Sequence, residues 1–122
     1  RGALSVTFFE NYKKVLPILK KNIFNIDLFK ISKIVDHNIF DQKAFDNLKK
    51  KFDIIFLDPP YKEKKISQLL EKIIELNLLK KDGIFIIHRH KKEEEKYTKK
   101  FNILIKKNYG ISKIIFGNQT LY

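Results

Sequence analysis

The run Asp58-Pro59-Pro60-Tyr61 places a carboxylate, two residues without backbone N–H groups and a phenol in four consecutive positions. Each proline fixes its own φ near about −65° and has no amide hydrogen to donate. Both proline carbonyls are therefore expected to be free to point at a ligand. Asp58 adds an acceptor and Tyr61 an aromatic face. A planar base stacked on Tyr61 would donate its amino hydrogens to Asp58 and to a proline carbonyl. Those acceptors draw the nitrogen out of conjugation and leave its lone pair available to a methyl electrophile. Stacking and hydrogen bonding of an extruded base is a recurrent solution for chemistry on bases. Positioning the two reactants is itself a large part of such catalysis. The plain alternative is a Pro-Pro turn with Tyr61 packed locally. The acidic residue and the apolar strand before it favour the chemical reading.

Such a loop needs a scaffold. Phe52 to Leu57 is a nearly continuous apolar run of strand length. Its continuity predicts a central strand covered on both faces of a parallel sheet. Ala3 to Phe9 is β-branched and aromatic and reads as a strand ending at Glu10. Tyr12, Val15, Leu16, Leu19 and Ile23 recur at helical spacing, with Pro17 starting, kinking or shortening that helix. Lys33-Ile34-Val35 is a short strand, and Asp41 to Lys51 reads as a short helix and loop. Ile66, Leu69, Leu70, Ile73 and Leu76 mark an amphipathic helix. Asp82-Gly83 reads as a turn before a strand at Ile84 to Ile87, followed by a charged loop or short helix from His88 to Lys100. Phe101 to Lys107 and Ile111 to Phe116 flank Asn108-Tyr109-Gly110 as a closing hairpin. Alternating strands and helices predict an α/β fold with a doubly wound, mostly parallel sheet that ends in a β-hairpin. Ligands of such sheets bind beyond the carboxyl ends of the strands. Glu10, Asn38 and Asp58 all follow strand ends and are expected to converge there.

The 122 residues suit one domain, and a hydrophobic content of 43% supports a core. The net charge of +12 favours a polyanionic partner, nucleic acid before an anionic membrane surface. Arg89 to Lys113 holds nine basic and three acidic residues, and Lys49 to Lys65 adds a further excess of three positive charges. Both stretches suit nucleic-acid phosphates, and both equally suit an ordinary solvated lysine-rich surface. Glu93-Glu94-Glu95 argues against one uninterrupted basic face. The absence of cysteine excludes disulfides and thiolate metal sites. His88 and His90 share one side of a strand, but no third ligand stands nearby, so a basic substrate-facing edge formed by His88, Arg89 and His90 is favoured over a metal site. His37 reads as a loop residue. No apolar run reaches the roughly 20 residues of a membrane span, and no leader is visible. The expectation is a soluble cytoplasmic protein, with no metal and no membrane partner. The chain starts at Arg1 and contains no Met. That start predicts a further N-terminal segment upstream.

Phe52 to Tyr61 closely resembles the catalytic strand and loop of the bacterial RsmD-type 16S rRNA guanine-N2 methyltransferases. Arg1-Gly2-Ala3 followed by Val6-Thr7-Phe8-Phe9-Glu10 is similar to that family's second strand, and Tyr109-Gly110 before the last strand also fits. The resemblance implies a Rossmann-like class I methyltransferase, residues 1–122 being one N-terminally incomplete domain, monomeric when complete. It implies methyl transfer from S-adenosyl-L-methionine to the exocyclic amino group of a guanine in 16S rRNA, free or in a small-subunit particle. By position, Glu10 would bind the cofactor ribose, and Asn38 with Ile39 would lie against its adenine. Asp58 would face both the methionine end and the target amino group. Asp58, Pro59, Pro60 and Tyr61 would form the catalytic loop. The family's first strand and Gly-rich loop are absent, and Asn38 stands where an acidic residue is common. Adenine-N6 methylation of DNA or RNA uses the same loop and stays open, as does an RNA-binding domain without catalysis.

Overall fold

A computed structural model describes residues 2–120, and Arg1 of the resembling segment lies outside them. The chain divides into two compact units, Arg1–Leu48 and Lys49–Tyr122.

In the first unit, β1 (Val6–Phe9) pairs in parallel with β2 (Ser32–Val35), Phe9 lying opposite Val35. The strand expected over Ala3 to Phe9 is thus shorter by three residues at its start. Helix α1 (Leu16–Asn25) connects the two strands. Pro17 occupies its first turn, where the missing N–H costs nothing. The helix ends in a Schellman turn at Asp27, whose φ is 57°. The amides of Asp27 and Leu28 donate to the carbonyls of Phe24 and Ile23 at 3.0 Å each. A 3₁₀ turn at Gln42–Phe45 is capped by the Asp41 carboxylate, which accepts from the Lys43 amide. Phe45 is buried and packs against Phe9, with ring centroids 5.4 Å apart.

The second unit is a four-stranded mixed sheet of order β3-β4-β6-β5 with one helix. β3 (Phe52–Leu57) runs parallel to β4 (Leu79–His90), and α2 (Ile66–Glu75) connects them. β5 (Phe101–Tyr109) and β6 (Ser112–Gln119) form an antiparallel hairpin that adds to β4. Gly110 turns the hairpin with a φ of 56°, a conformation that costs glycine little. The core collects Ile66, Leu69, Leu70 and Ile73 of α2 with Leu57, Leu79, Phe85, Ile87 and Ile115 of the sheet. Burial alternates along β4: Phe85, Ile87 and Arg89 are covered, while Ile84 is exposed and His88 and His90 are partly so. α2 ends like α1, in a Schellman turn, here with Asn77 at a φ of 56°.

Three expectations are corrected. Among the described residues β3 is the edge of its sheet rather than a centre, and Ile54 and Phe56 are 61% and 57% exposed. Continuous apolarity records that both faces tolerate burial, and among the described residues only one face is covered. Asp82-Gly83 is not a turn but lies inside β4, in a bulge where pairing jumps from Phe52↔Leu79 to Ile54↔Ile84. A side chain at Gly83 would meet the buried Leu79 at 2.6 Å, which is why the bulge closes on glycine. Finally, His88, Arg89 and His90 belong to β4 rather than to a loop, and no helix follows them before β5. No helix among the described residues is long and apolar enough to cross a membrane.

Candidate active site

Asp58 follows β3 directly, so its position is set by strand pairing. Leu57 lies opposite Ile87 in the parallel register, which brings Asp58 beside His88 on β4. His88 Nδ1 lies 2.8 Å from Asp58 Oδ1. A carboxylate only accepts, so Nδ1 carries the hydrogen. The Asp58 side chain remains 52% exposed.

The loop after Asp58 has no regular structure, and its backbone is held from beneath the sheet. Arg89 is wholly buried on the same face as Phe85 and Ile87. Its guanidinium donates to the carbonyls of Pro60 at 3.0 Å, Glu63 at 2.7 Å and, more weakly, Tyr61 at 3.4 Å. Its Nε pairs with the nearly buried Glu95 carboxylate. Tyr97 donates its hydroxyl to the other oxygen of Glu95 at 2.8 Å. Burial, then the bond to Glu95 and that residue's charge, push the Tyr97 phenol well above its ordinary range, and Arg89 opposes them. A buried ion pair of this kind endures only when its remaining hydrogen-bonding groups are also satisfied, as they are here.

The Pro60 carbonyl is consequently not free. It accepts from Arg89 and, at 2.9 Å, from the Glu63 amide. The expectation of two free proline carbonyls is corrected to one, since no described group donates to that of Pro59. Tyr61 is partly buried. Its ring meets His88 and His90 edge to face, at centroid distances of 5.8 and 5.2 Å. Its hydroxyl lies 3.1 Å from Ser112 Oγ and 3.4 Å from His88 Nε2. The two histidines do share a face, as their spacing implied. Their shared neighbour is Tyr61, and no group of three potential metal ligands occurs among the described residues.

Glu10 and Asn38 leave the same ends of the paired parallel strands β1 and β2 in the first unit. Glu10 is partly buried, and its Oε1 accepts from the Tyr12 amide at 2.9 Å. Asn38 Oδ1 accepts from the Phe40 amide at 3.0 Å, which leaves its Nδ2 as a donor beside the partly buried Ile39. Asp58 and its loop belong to the second unit. The acidic run is largely absorbed within that unit. Glu95 pairs with Arg89, and Glu93 accepts from Lys64 at 3.3 Å and, through its carbonyl, from the buried Lys113. A cavity of about 400 Å³ lies among Lys91, Glu95, Lys106 and Lys113. Its mostly charged lining includes neither Asp58 nor Tyr61, and it suits a flat base poorly.

Ser112 escaped the sequence reading, and Arg89, expected with the two histidines at a basic substrate-facing edge, is instead fully buried and turned toward the loop backbone and Glu95. For Arg89 a signal existed, since it shares strand parity with Phe85 and Ile87 and so falls on the covered face. Ser112 gave none, because its approach to Tyr61 depends on the pairing of β6 with β4.

The chain matches the family described as conserved hypothetical protein 95 over residues 1–118. It is 31% identical over 117 residues to ribosomal RNA small subunit methyltransferase D of Buchnera aphidicola, covering 96% of this chain and 58% of that protein. The chain therefore spans little more than half of that relative. A conserved hypothetical protein of Streptococcus pyogenes superposes with a TM-score of 0.84 at 26% identity, over 96% of this chain and 72% of that one. An SAH-bound methyltransferase of Podospora anserina shares the fold, with a TM-score of 0.60 at 17% identity over 68% and 34% of the two chains.

Proposed function

The chain belongs to the family described as conserved hypothetical protein 95, the RsmD-type methyltransferases with their Rossmann-like class I fold, and from that membership we propose its reaction. It serves transfer of a methyl group from S-adenosyl-L-methionine to the exocyclic amino group of a guanine in small-subunit rRNA. The observation that carries this reading is the Asp58 loop: an exposed carboxylate at a strand end, on a backbone clamped by a buried arginine.

The residues in the first unit fit the cofactor. One oxygen of Glu10 holds the Tyr12 amide, and the other is available to the vicinal hydroxyls of a ribose. Asn38 Nδ2 can donate to an adenine ring nitrogen, and Ile39 offers an apolar surface. When bound, the cofactor supplies an electrophilic methyl group. The chain's own contribution lies on the acceptor side. His88 occupies Asp58 Oδ1, so Oδ2 accepts one hydrogen of the target amino group. The Pro59 carbonyl accepts the other. With both hydrogens held, the nitrogen lone pair turns out of conjugation and becomes available to a methyl electrophile. Asp58 then takes the proton that the methylated nitrogen releases. Tyr61 lines the base, its ring steadied by the two histidines and Ser112.

Calorimetry of S-adenosyl-L-methionine with the full-length protein tests the cofactor half. Glu10→Gln is expected to weaken binding about tenfold to hundredfold, the range for losing a hydrogen bond to a charged group. A wild-type protein that binds no cofactor would overturn the proposal.

A further inference from the structure

We propose that His88 is the positioning residue of Asp58, fixing which of its carboxylate oxygens faces the target amino group. The inference rests on the reaction proposed above and adds a residue to it.

The geometry has a direction. Asp58 accepts from His88 Nδ1 at 2.8 Å. In the neutral ring, Nε2 is then an acceptor, so the Tyr61 hydroxyl donates toward it across 3.4 Å. The Tyr61 oxygen in turn accepts from Ser112 Oγ at 3.1 Å. Ser112, Tyr61, His88 and Asp58 thus form one chain in which each donor has an acceptor. Its members come from β6, the loop, β4 and the end of β3. Strand pairing sets the two ends: Leu57 lies opposite Ile87, just before Asp58 and His88, and His90 lies opposite Ser112. A half-exposed carboxylate at the end of an edge strand would otherwise rotate between equivalent settings. The ordered chain commits Oδ1 and leaves Oδ2 as the acceptor. His88 touches neither reacting atom in this scheme, and its effect passes through Asp58.

The test uses two amides that each copy one nitrogen of the ring. His88→Asn places its amide nitrogen near the Nδ1 position and keeps the donor to Asp58. His88→Gln places its amide nitrogen near Nε2 and loses that donor, although it is closer to histidine in volume. In single-turnover methyl transfer by the full-length protein, the Asn variant is expected to stay within about threefold of wild type. The Gln variant is expected to lose about tenfold to hundredfold in the maximal single-turnover rate, with the RNA concentration that gives half of that rate unchanged. Equal rates in the two variants, or a Gln variant faster than the Asn variant, would overturn the proposal, because packing alone favours Gln. Nitrogen-15 NMR of wild type gives a reading independent of activity. Neutral His88 is expected as the Nδ1–H tautomer, shifting to Nε2–H in Asp58→Ala. An Nε2–H tautomer in wild type also overturns it. If Asp58→Ala leaves methyl transfer intact, the proposed reaction fails, and the tautomer result still decides the hydrogen bond on its own.

Discussion

Replacing Arg89 with methionine removes the clamp on the Asp58 loop while nearly filling its volume. Arg89 has no exposed surface and satisfies the Glu63 carbonyl at 2.7 Å, the Pro60 carbonyl at 3.0 Å and the Glu95 carboxylate. Removing one partner of a buried ion pair costs about 3–5 kcal/mol. Two features place this case at the lower end. The Pro60 carbonyl keeps the Glu63 amide at 2.9 Å, and Glu95 keeps the Tyr97 hydroxyl at 2.8 Å. The stranded groups are then the Glu63 carbonyl, the more weakly held Tyr61 carbonyl and one carboxylate oxygen. A loss of about 3 kcal/mol is expected, which moves a urea midpoint down by roughly 2 M for a slope near 1.5 kcal/mol per M. Circular dichroism through a urea titration reads it. Adding Glu95→Leu removes the stranded carboxylate and should return part of that loss, while the Tyr97 hydroxyl loses its acceptor and the Glu63 carbonyl stays unpaired. A midpoint for Arg89→Met within about 0.5 M of wild type would refute the clamp. So would a double variant as unstable as the single one.

Other expectations follow from the same structure. Gly117→Ala would drive a methyl group into the Phe101 ring and to 2.8 Å from the Asn102 carbonyl, so a loss of about 1–3 kcal/mol is expected in the same titration. Little or no loss would show that the Phe101 ring yields. Tyr97 binds its proton more tightly folded than unfolded, so its contribution to stability is full below pH about 10 and falls as pH rises beyond it. Tyr97→Phe should flatten that alkaline decline, and an unchanged decline contradicts the assignment. Charge reversal of the exposed Lys91 and Lys92 should weaken RNA binding and make its salt dependence shallower by up to about two phosphate contacts. If neither affinity nor slope changes, these lysines are ordinary solvated surface.

Local physics made much of the fold legible in advance. Phe52–Leu57 is the predicted strand residue for residue, and Ile66, Leu69, Leu70 and Ile73 form the predicted helix face, whereas Leu76, expected on it, lies at the helix end and is exposed. Pro17 opens a helix as its missing amide allows, and Gly110 turns the hairpin. Each signal lies within a few residues along the chain. The misread features depend on pairings between distant segments. The bulge at Lys80 to Gly83 exists because β4 must regain register with β3, and only then does Asp82-Gly83 stop being a turn. Pro60 lost its free carbonyl both to a local turn closed by the Glu63 amide and to an arginine 29 residues away. The Glu93-Glu94-Glu95 run read as an interruption of a basic surface, yet Glu95 turns inward to Arg89. A charge run shows its solvated form in sequence, and burial of one member depends on a partner from another strand. For the site, the loop chemistry was visible in Asp58 and Tyr61, whereas the groups that set their geometry, His88, Arg89 and Ser112, come from β4 and β6.

The central claim is that Asp58 receives the amino group of a guanine in small-subunit rRNA. Its most direct measurement is transfer of labelled methyl groups from S-adenosyl-L-methionine to small-subunit RNA or particles by the full-length protein. Nucleoside analysis of the product follows, with Asp58→Ala in parallel. Label in N2-methylguanosine with wild type, and a loss of at least about a thousandfold with Asp58→Ala, is the expected result. Label in N6-methyladenosine, or activity that survives the substitution, would contradict it.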